Sequence, residues 1–108
     1  MPVMAIYEFD DVTPEEYRDF REKLPLHAAP KGALVHACAR DDDGFTVFEV
    51  WENRVALERF LEEILAPSVR RMGYPLTLPR IVEVEDFVVT KDARASEIPI
   101  GDILAAAF

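Results

Sequence analysis

The sequence predicts an α+β fold of the ferredoxin-like kind: a β-α-β-β-α-β chain closing one four-stranded antiparallel sheet, with right-handed crossovers placing both helices on one face. Three observations lead there. The stretch Gly44-Phe-Thr-Val-Phe-Glu-Val-Trp-Glu-Asn53 reads as a central strand that runs into a helix cap. Phe45, Val47, Glu49 and Trp51 point one way and Thr46, Phe48 and Val50 the other, so both faces are largely apolar. Before it, Asp41-Asp-Asp-Gly44 reads as a hairpin turn, because Asp and Gly tolerate the positive φ of tight turns. Finally, two stretches of helical periodicity each fall between strands.

In chain order, Val3 to Phe9 alternates as a first strand, with Val3, Ala5, Tyr7 and Phe9 on one face. Thr13-Pro14-Glu15-Glu16 is a helix start, with Thr as N-cap, Pro in the first turn and Glu closing a capping box. That helix runs to about Leu24, where Pro25 stops it, and Tyr17, Phe20 and Leu24 form its apolar stripe. A loop from Leu26 to Gly32 carries His27, and Ala33 to Arg40 is the second strand. Asn53 caps a second helix whose Leu57, Phe60, Leu61, Ile64 and Leu65 follow helical spacing. Pro67 is expected to interrupt it, with a further turn reaching Gly73 as C-cap. Tyr74 to Pro79 is extended and Arg80 to Val89 is the fourth strand. Thr90 to Pro99 reads as a linker, and Asp102 as the cap of a short terminal helix. The division is thus a domain over 1–90 and a C-terminal extension over 91–108.

Composition narrows the partners. A chain of 108 residues with 21 acidic and 12 basic side chains, net charge −9, is repelled by phosphate backbones and anionic lipid, so neither nucleic acid nor a membrane is an expected partner. The one cysteine, Cys38, excludes an intrachain disulfide. Neither a signal-peptide pattern nor an apolar run of about 18–20 residues is present, and a cytoplasmic location is the expectation. The strands carry more apolar surface than two helices on one face can cover. A second copy is expected on the other face, making a homodimer.

The chemistry is concentrated in the hairpin. A turn of even length keeps Leu34, His36, Cys38 and Arg40 on the face of Glu49 and Trp51. If Arg40 pairs with Phe45, His36 lies directly opposite Glu49; if the turn is Asp43-Gly44, the two are diagonal. A carboxylate beside an imidazole fixes its tautomer and raises its basicity, which suits a general base. The same two residues can equally satisfy each other structurally, facing either a pocket or the dimer interface. Tyr7 and Trp51 are candidate pocket walls or plain core, and His27 is a candidate ligand or an exposed loop residue. Glu83, Glu85 and Asp86 fit an edge-protecting strand better than a metal site.

Val47-Phe-Glu-Val-Trp-Glu-Asn53, followed by Ala56, Leu57 and Phe60, resembles the strand, cap and helix signature of the dimeric α/β-barrel superfamily, most closely its antibiotic-biosynthesis-monooxygenase-like branch. The resemblance covers about residues 2 to 89. It implies a homodimer whose sheets form a shared barrel, with an apolar pocket between sheet and helices in each protomer. It implies cofactor-independent oxygenase or cyclase chemistry on an aromatic or polyketide-like molecule, with His36 as base and Glu49 as its orienter. The superfamily also offers non-catalytic dimers and haem-binding proteins, the latter with His27 or His36 as axial ligand. Many monooxygenase-like members carry a His on the second helix where this chain has Phe60, and the extension after Val89 has no counterpart in the minimal fold.

Overall fold

The central hairpin sets the sheet. The computed structural model describes residues 1–25 and 29–89. Its strands are β1 (Val3–Asp10), β2 (Ala33–Arg40), β3 (Gly44–Trp51) and β4 (Arg80–Glu83), in the order β2-β3-β1-β4, with every pairing antiparallel. This is the ferredoxin-like arrangement expected from the element order. His27 and the extension over 91–108 lie outside the described residues.

Local chemistry explains the elements. The turn before β3 is built by Asp41, whose Oδ1 accepts from the backbone N–H of Asp43 at 3.0 Å and of Gly44 at 2.7 Å. Gly44 is obligatory for a different reason from positive φ: a Cβ there would sit 1.9 Å from the carbonyl oxygen of Phe9 on the neighbouring strand. Helix α1 (Pro14–Lys23) starts on the full capping box, with Glu16 N–H donating to Thr13 Oγ1 at 3.1 Å and Thr13 N–H to Glu16 Oε1 at 3.2 Å.

Asn53 caps α2 (Arg54–Phe60) by accepting from Ala56 N–H at 2.8 Å. The helix does not break at Pro67. It passes through one wide π turn, Leu61–Leu65, into α3 (Ala66–Met72), and ends at Gly73 in the left-handed region at φ 79°. Proline has no N–H to offer the carbonyl four residues back, here Glu63, and its ring crowds that group. The wider turn, in which Ala66 N–H reaches back to Leu61 C=O, relieves the crowding without ending the helix. Ser68 Oγ adds a bond to Ile64 C=O at 2.6 Å.

Two expectations need correction. Strand β4 stops at Glu83, not Val89. As an edge strand it pairs with β1, whose first residue, Val3, lies opposite Glu83, and one further bond runs from Val84 N–H to Pro2 C=O. Leu34 does not join the inward face of β2. A bulge between Ala33 and Val35 pushes it out of the register, and it is 45% exposed.

The core lies on one face of the sheet. Val3, Ala5 and Tyr7 of β1 and Phe45, Val47 and Trp51 of β3 pack there against Tyr17, Leu57 and Phe60 of the helices. Tyr17 stacks on Phe45 at 4.6 Å between ring centroids, and Trp51 meets Phe60 at 5.1 Å. On the opposite face Phe48 and Val82 are 39% and 40% exposed, next to half-buried Met4, Ile6 and Ala37. Phe48 is thus left partly exposed within one chain, on the face where a second copy is expected. Thr13→Ala removes one half of the capping box and is expected to lower stability by about 1 kcal/mol. A shift of the urea midpoint to lower concentration checks this, and an unchanged midpoint would place the helix start elsewhere.

A buried acid–base cluster between sheet and helices

Antiparallel pairing of β2 and β3 takes the register in which Arg40 opposes Phe45, so His36 lies directly across from Glu49. His36 Nδ1 is 3.1 Å from Glu49 Oε2, and each side chain is only 4% exposed. Two residues along β3, on the same face, Trp51 Nε1–H donates to Glu49 Oε1 at 3.1 Å. Each carboxylate oxygen therefore has its own donor. The pair faces the helices and not the opposite face of the sheet: together with Tyr7, Tyr17, Arg21 and Phe60 it lines a cavity of about 30 Å³.

Strand β1 supplies Tyr7 from the other side of β3. Its hydroxyl is buried near Glu49 without a hydrogen bond of regular geometry, and burial followed by the Glu49 charge pushes its pKa up, so the phenol stays protonated. Tyr17 is likewise raised, chiefly by burial, and the Cys38 thiol beside it is raised by burial as well. Sequence reasoning missed Arg21. It belongs to the buried face of α1 at 6% exposure. The signal was there: Tyr17, Phe20 and Leu24 stand at i, i+3 and i+7, and Arg21 fills the i+4 position of the same stripe.

Glu49 favours the protonated form of His36, as expected, but it does not decide the net direction. Burial dominates and lowers the imidazole pKa below its ordinary 6.5; the hydrogen bond to Glu49 opposes that, and the charge of Arg21 adds to it. The histidine is therefore neutral near pH 7. With Nδ1–H donating to Glu49, the basic lone pair lies on Nε2. A buried, neutral imidazole whose tautomer is fixed is equipped to take up a proton.

A second cavity of about 150 Å³ adjoins the first and shares Phe9, Tyr17, Phe20 and Leu65 with it. Its remaining walls include Val12, Val69 and Tyr74, with Asp10 and Glu16 among its polar residues. The structure thus brings together His36, Glu49, Trp51 and Tyr7, as the sequence suggested, and adds Arg21 and Tyr17. No group of three metal-ligating side chains occurs among the described residues, and none of their helices is long and apolar enough to cross a membrane.

These features define a ferredoxin-like α+β domain with an acid–base cluster enclosed between sheet and helices. Among solved structures the chain is similar to SnoaB, a cofactor-independent oxygenase from Streptomyces nogalater, solved as a mutant, with a TM-score of 0.60. The match covers 81% of this chain and 96% of that one at 15% identity, a likeness of fold. That fold agrees with the one implied by the resemblance that Val47 to Asn53 carry. No protein-family model matches the sequence, and no curated protein does.

Because the His36 pKa is lower folded than unfolded, the unfolded chain takes up the proton first as the solution is acidified. Stability associated with this residue is complete above the ordinary value of 6.5 and is lost as the pH falls from there through the folded pKa. Glu49→Gln removes the charge that favours imidazolium and is expected to lower the His36 pKa further. NMR titration of the ring protons in both proteins checks this; coincident curves would mean that the two side chains do not interact.

Proposed function

We propose that this chain is a small homodimeric enzyme of the cofactor-independent oxygenase or cyclase kind, acting on an aromatic or polyketide-like molecule. The observation that carries the reading is the buried His36–Glu49 pair lining a cavity between sheet and helices. Oxygenation of a phenol and cyclisation of a polyketide can share a first step, removal of a proton from an acidic O–H or C–H to leave an enolate or phenolate. His36 takes that proton at Nε2, and Glu49 holds the ring and favours the imidazolium that forms. Tyr7 walls the site, whereas Trp51, expected from the sequence as a second wall, is outside the cavity lining and acts by holding Glu49 through its indole N–H. The likeness of fold to SnoaB supports the class of reaction.

The adjoining apolar cavity of about 150 Å³ suits a single aromatic ring, by comparison with cavities of that size that bind benzene. A bicyclic substrate would reach His36 once the shared wall of Phe9, Tyr17, Phe20 and Leu65 gives way. One observation favours a second reading, a non-catalytic ligand-binding or structural dimer: the space at His36 itself is about 30 Å³, room for roughly one water. The haem-binding alternative is less favoured for His36, whose side chain is enclosed and, among the described residues, lines that small space.

The homodimer rests on the opposite face of the sheet, where Phe48 and Val82 are exposed beside Met4 and Ile6. A second copy laid face to face would remove that apolar surface from water. Light scattering at micromolar concentration is expected to give the mass of a dimer, and a monomer would contradict this arrangement. For the chemistry, oxygen consumption is measured with a panel of polycyclic phenols and no added cofactor. Turnover by the native protein and a loss of about a hundredfold or more in His36→Gln support the catalytic reading. Binding of the same phenols with no turnover supports the second.

A further inference from the structure

The cavity of about 150 Å³ has walls that the acid–base pair does not explain. Four aromatic rings line it, those of Phe9, Tyr17, Phe20 and Tyr74. They come from three parts of the chain: Phe9 from β1, Tyr17 and Phe20 from α1, and Tyr74 from the segment that follows Gly73. Contacts among the rings set their orientation. Phe9 and Tyr17 are tilted by 57° with centroids 6.4 Å apart, and Tyr74 meets Phe20 edge to face at 6.2 Å. The Tyr74 hydroxyl donates to Asp19 Oδ2 at 3.3 Å, which holds its ring in the wall. A recess of this size takes one six-membered ring and little more.

The charge on this recess has one sign. Asp10, the last residue of β1, and Glu16, in the first turn of α1, both line it, and no lysine, arginine or histidine does. Both are exposed, so they stand at the mouth, while Tyr17, Leu65 and Val69 are buried and form its depth. The capping box fixes Glu16, whose Oε1 accepts from Thr13 N–H at 3.2 Å. None of the ion pairs among the described residues involves Asp10 or Glu16; Lys23, on the same helix as Glu16, is bound to Asp19. Alone, two exposed carboxylates would be ordinary solvated surface. At the mouth of a ring-sized aromatic recess they oppose an anionic occupant and favour a cationic one. The rings add to that preference, because aromatic faces attract cations. The net charge of −9 draws cations toward the protein over longer distances.

We propose that this recess is a binding site for a small organic cation made of one aromatic ring and a short amine-bearing arm, with the ring among Phe9, Tyr17, Phe20 and Tyr74 and the ammonium group at Asp10 and Glu16. The chemical class is that of the arylalkylamines. Its charge is opposite to that of a phenolate, so the site goes beyond the acid–base reading and stands whether or not His36 takes a proton from any substrate. Phe9, Tyr17, Phe20 and Leu65 also line the space at His36, so those side chains separate an occupant of the recess from the acid–base pair.

The test compares phenethylamine, 2-phenylethanol and 3-phenylpropionate by isothermal titration calorimetry on the full-length protein at neutral pH and low ionic strength. The three share a ring and a two-carbon arm and end in a cation, a neutral hydroxyl and an anion. The amine is expected to bind about fivefold or more tightly than the alcohol, and the carboxylate more weakly than the alcohol. The double variant Asp10→Asn, Glu16→Gln should remove the preference for the amine and leave the affinity for the alcohol unchanged. Glutamine still closes the capping box, so α1 keeps its start. A control double variant, Glu52→Gln with Glu83→Gln, loses as much charge at the opposite end of β1, where Val3 faces Trp51 and Glu83, and should keep the preference. Nuclear Overhauser contacts from the ligand ring to Phe20 and Tyr74 should place it in the recess. Equal affinity for amine and alcohol in the native protein overturns the proposal, as does a preference that survives Asp10→Asn, Glu16→Gln or is lost equally in the control. Absence of binding by all three compounds overturns it too. Should the double variant not fold, Glu16→Gln alone decides, by reducing the preference or leaving it intact. Oxygen consumption with phenols is read separately, so failure here leaves the acid–base reading standing.

Discussion

A carboxylate buried to 4% exposure is the constraint around which this small protein is arranged. Glu49 lies in the middle of the central strand, on the face that the helices cover. Desolvating its charge costs several kcal/mol unless each oxygen is given a donor. The fold supplies those donors from two directions: Trp51 from the same strand and His36 from the next. Trp51 serves twice, since its ring also packs on Phe60 and so ties α2 to the sheet. Register, helix docking and acid–base chemistry thus converge on one side chain.

That convergence explains why the hairpin geometry matters beyond its own stability. Asp41 folds the turn, and Gly44 admits the close approach of Phe9, which together hold Arg40 opposite Phe45. A slip of one residue would carry His36 to the other face of the sheet. The bulge at Leu34 lies on the far side of His36 from the turn, so it changes the end of β2 without disturbing the pair. The π turn has a comparable effect on the helical layer: it carries the helix past Pro67 and keeps Leu65 and Val69 on walls of the adjoining cavity.

Much of this was legible because it depends on short-range rules. The helix caps, the hairpin and the strand alternation are local, and they fix the element order from which the sheet topology follows. His36 facing Glu49 was one of two registers the turn allowed. What was not legible depends on neighbours that a sequence does not place. The length of β4 is set by where β1 begins, so the apolar Val88 and Val89 do not extend it. The sign of the His36 shift is set by how deeply the helices bury it, a quantity that no spacing encodes. Arg21 was the avoidable omission, since a charged residue in the fourth position of an apolar stripe is itself a signal.

Mutual dependence of Glu49 and His36 is the claim on which the rest stands, and a double-mutant cycle measures it most directly. Urea unfolding of the native protein, Glu49→Gln, His36→Gln and the double variant gives four stabilities and one coupling energy. The account predicts a coupling of about 1–3 kcal/mol, the range of side chains that share a buried network. Single effects that simply add, to within about 0.5 kcal/mol, would contradict it.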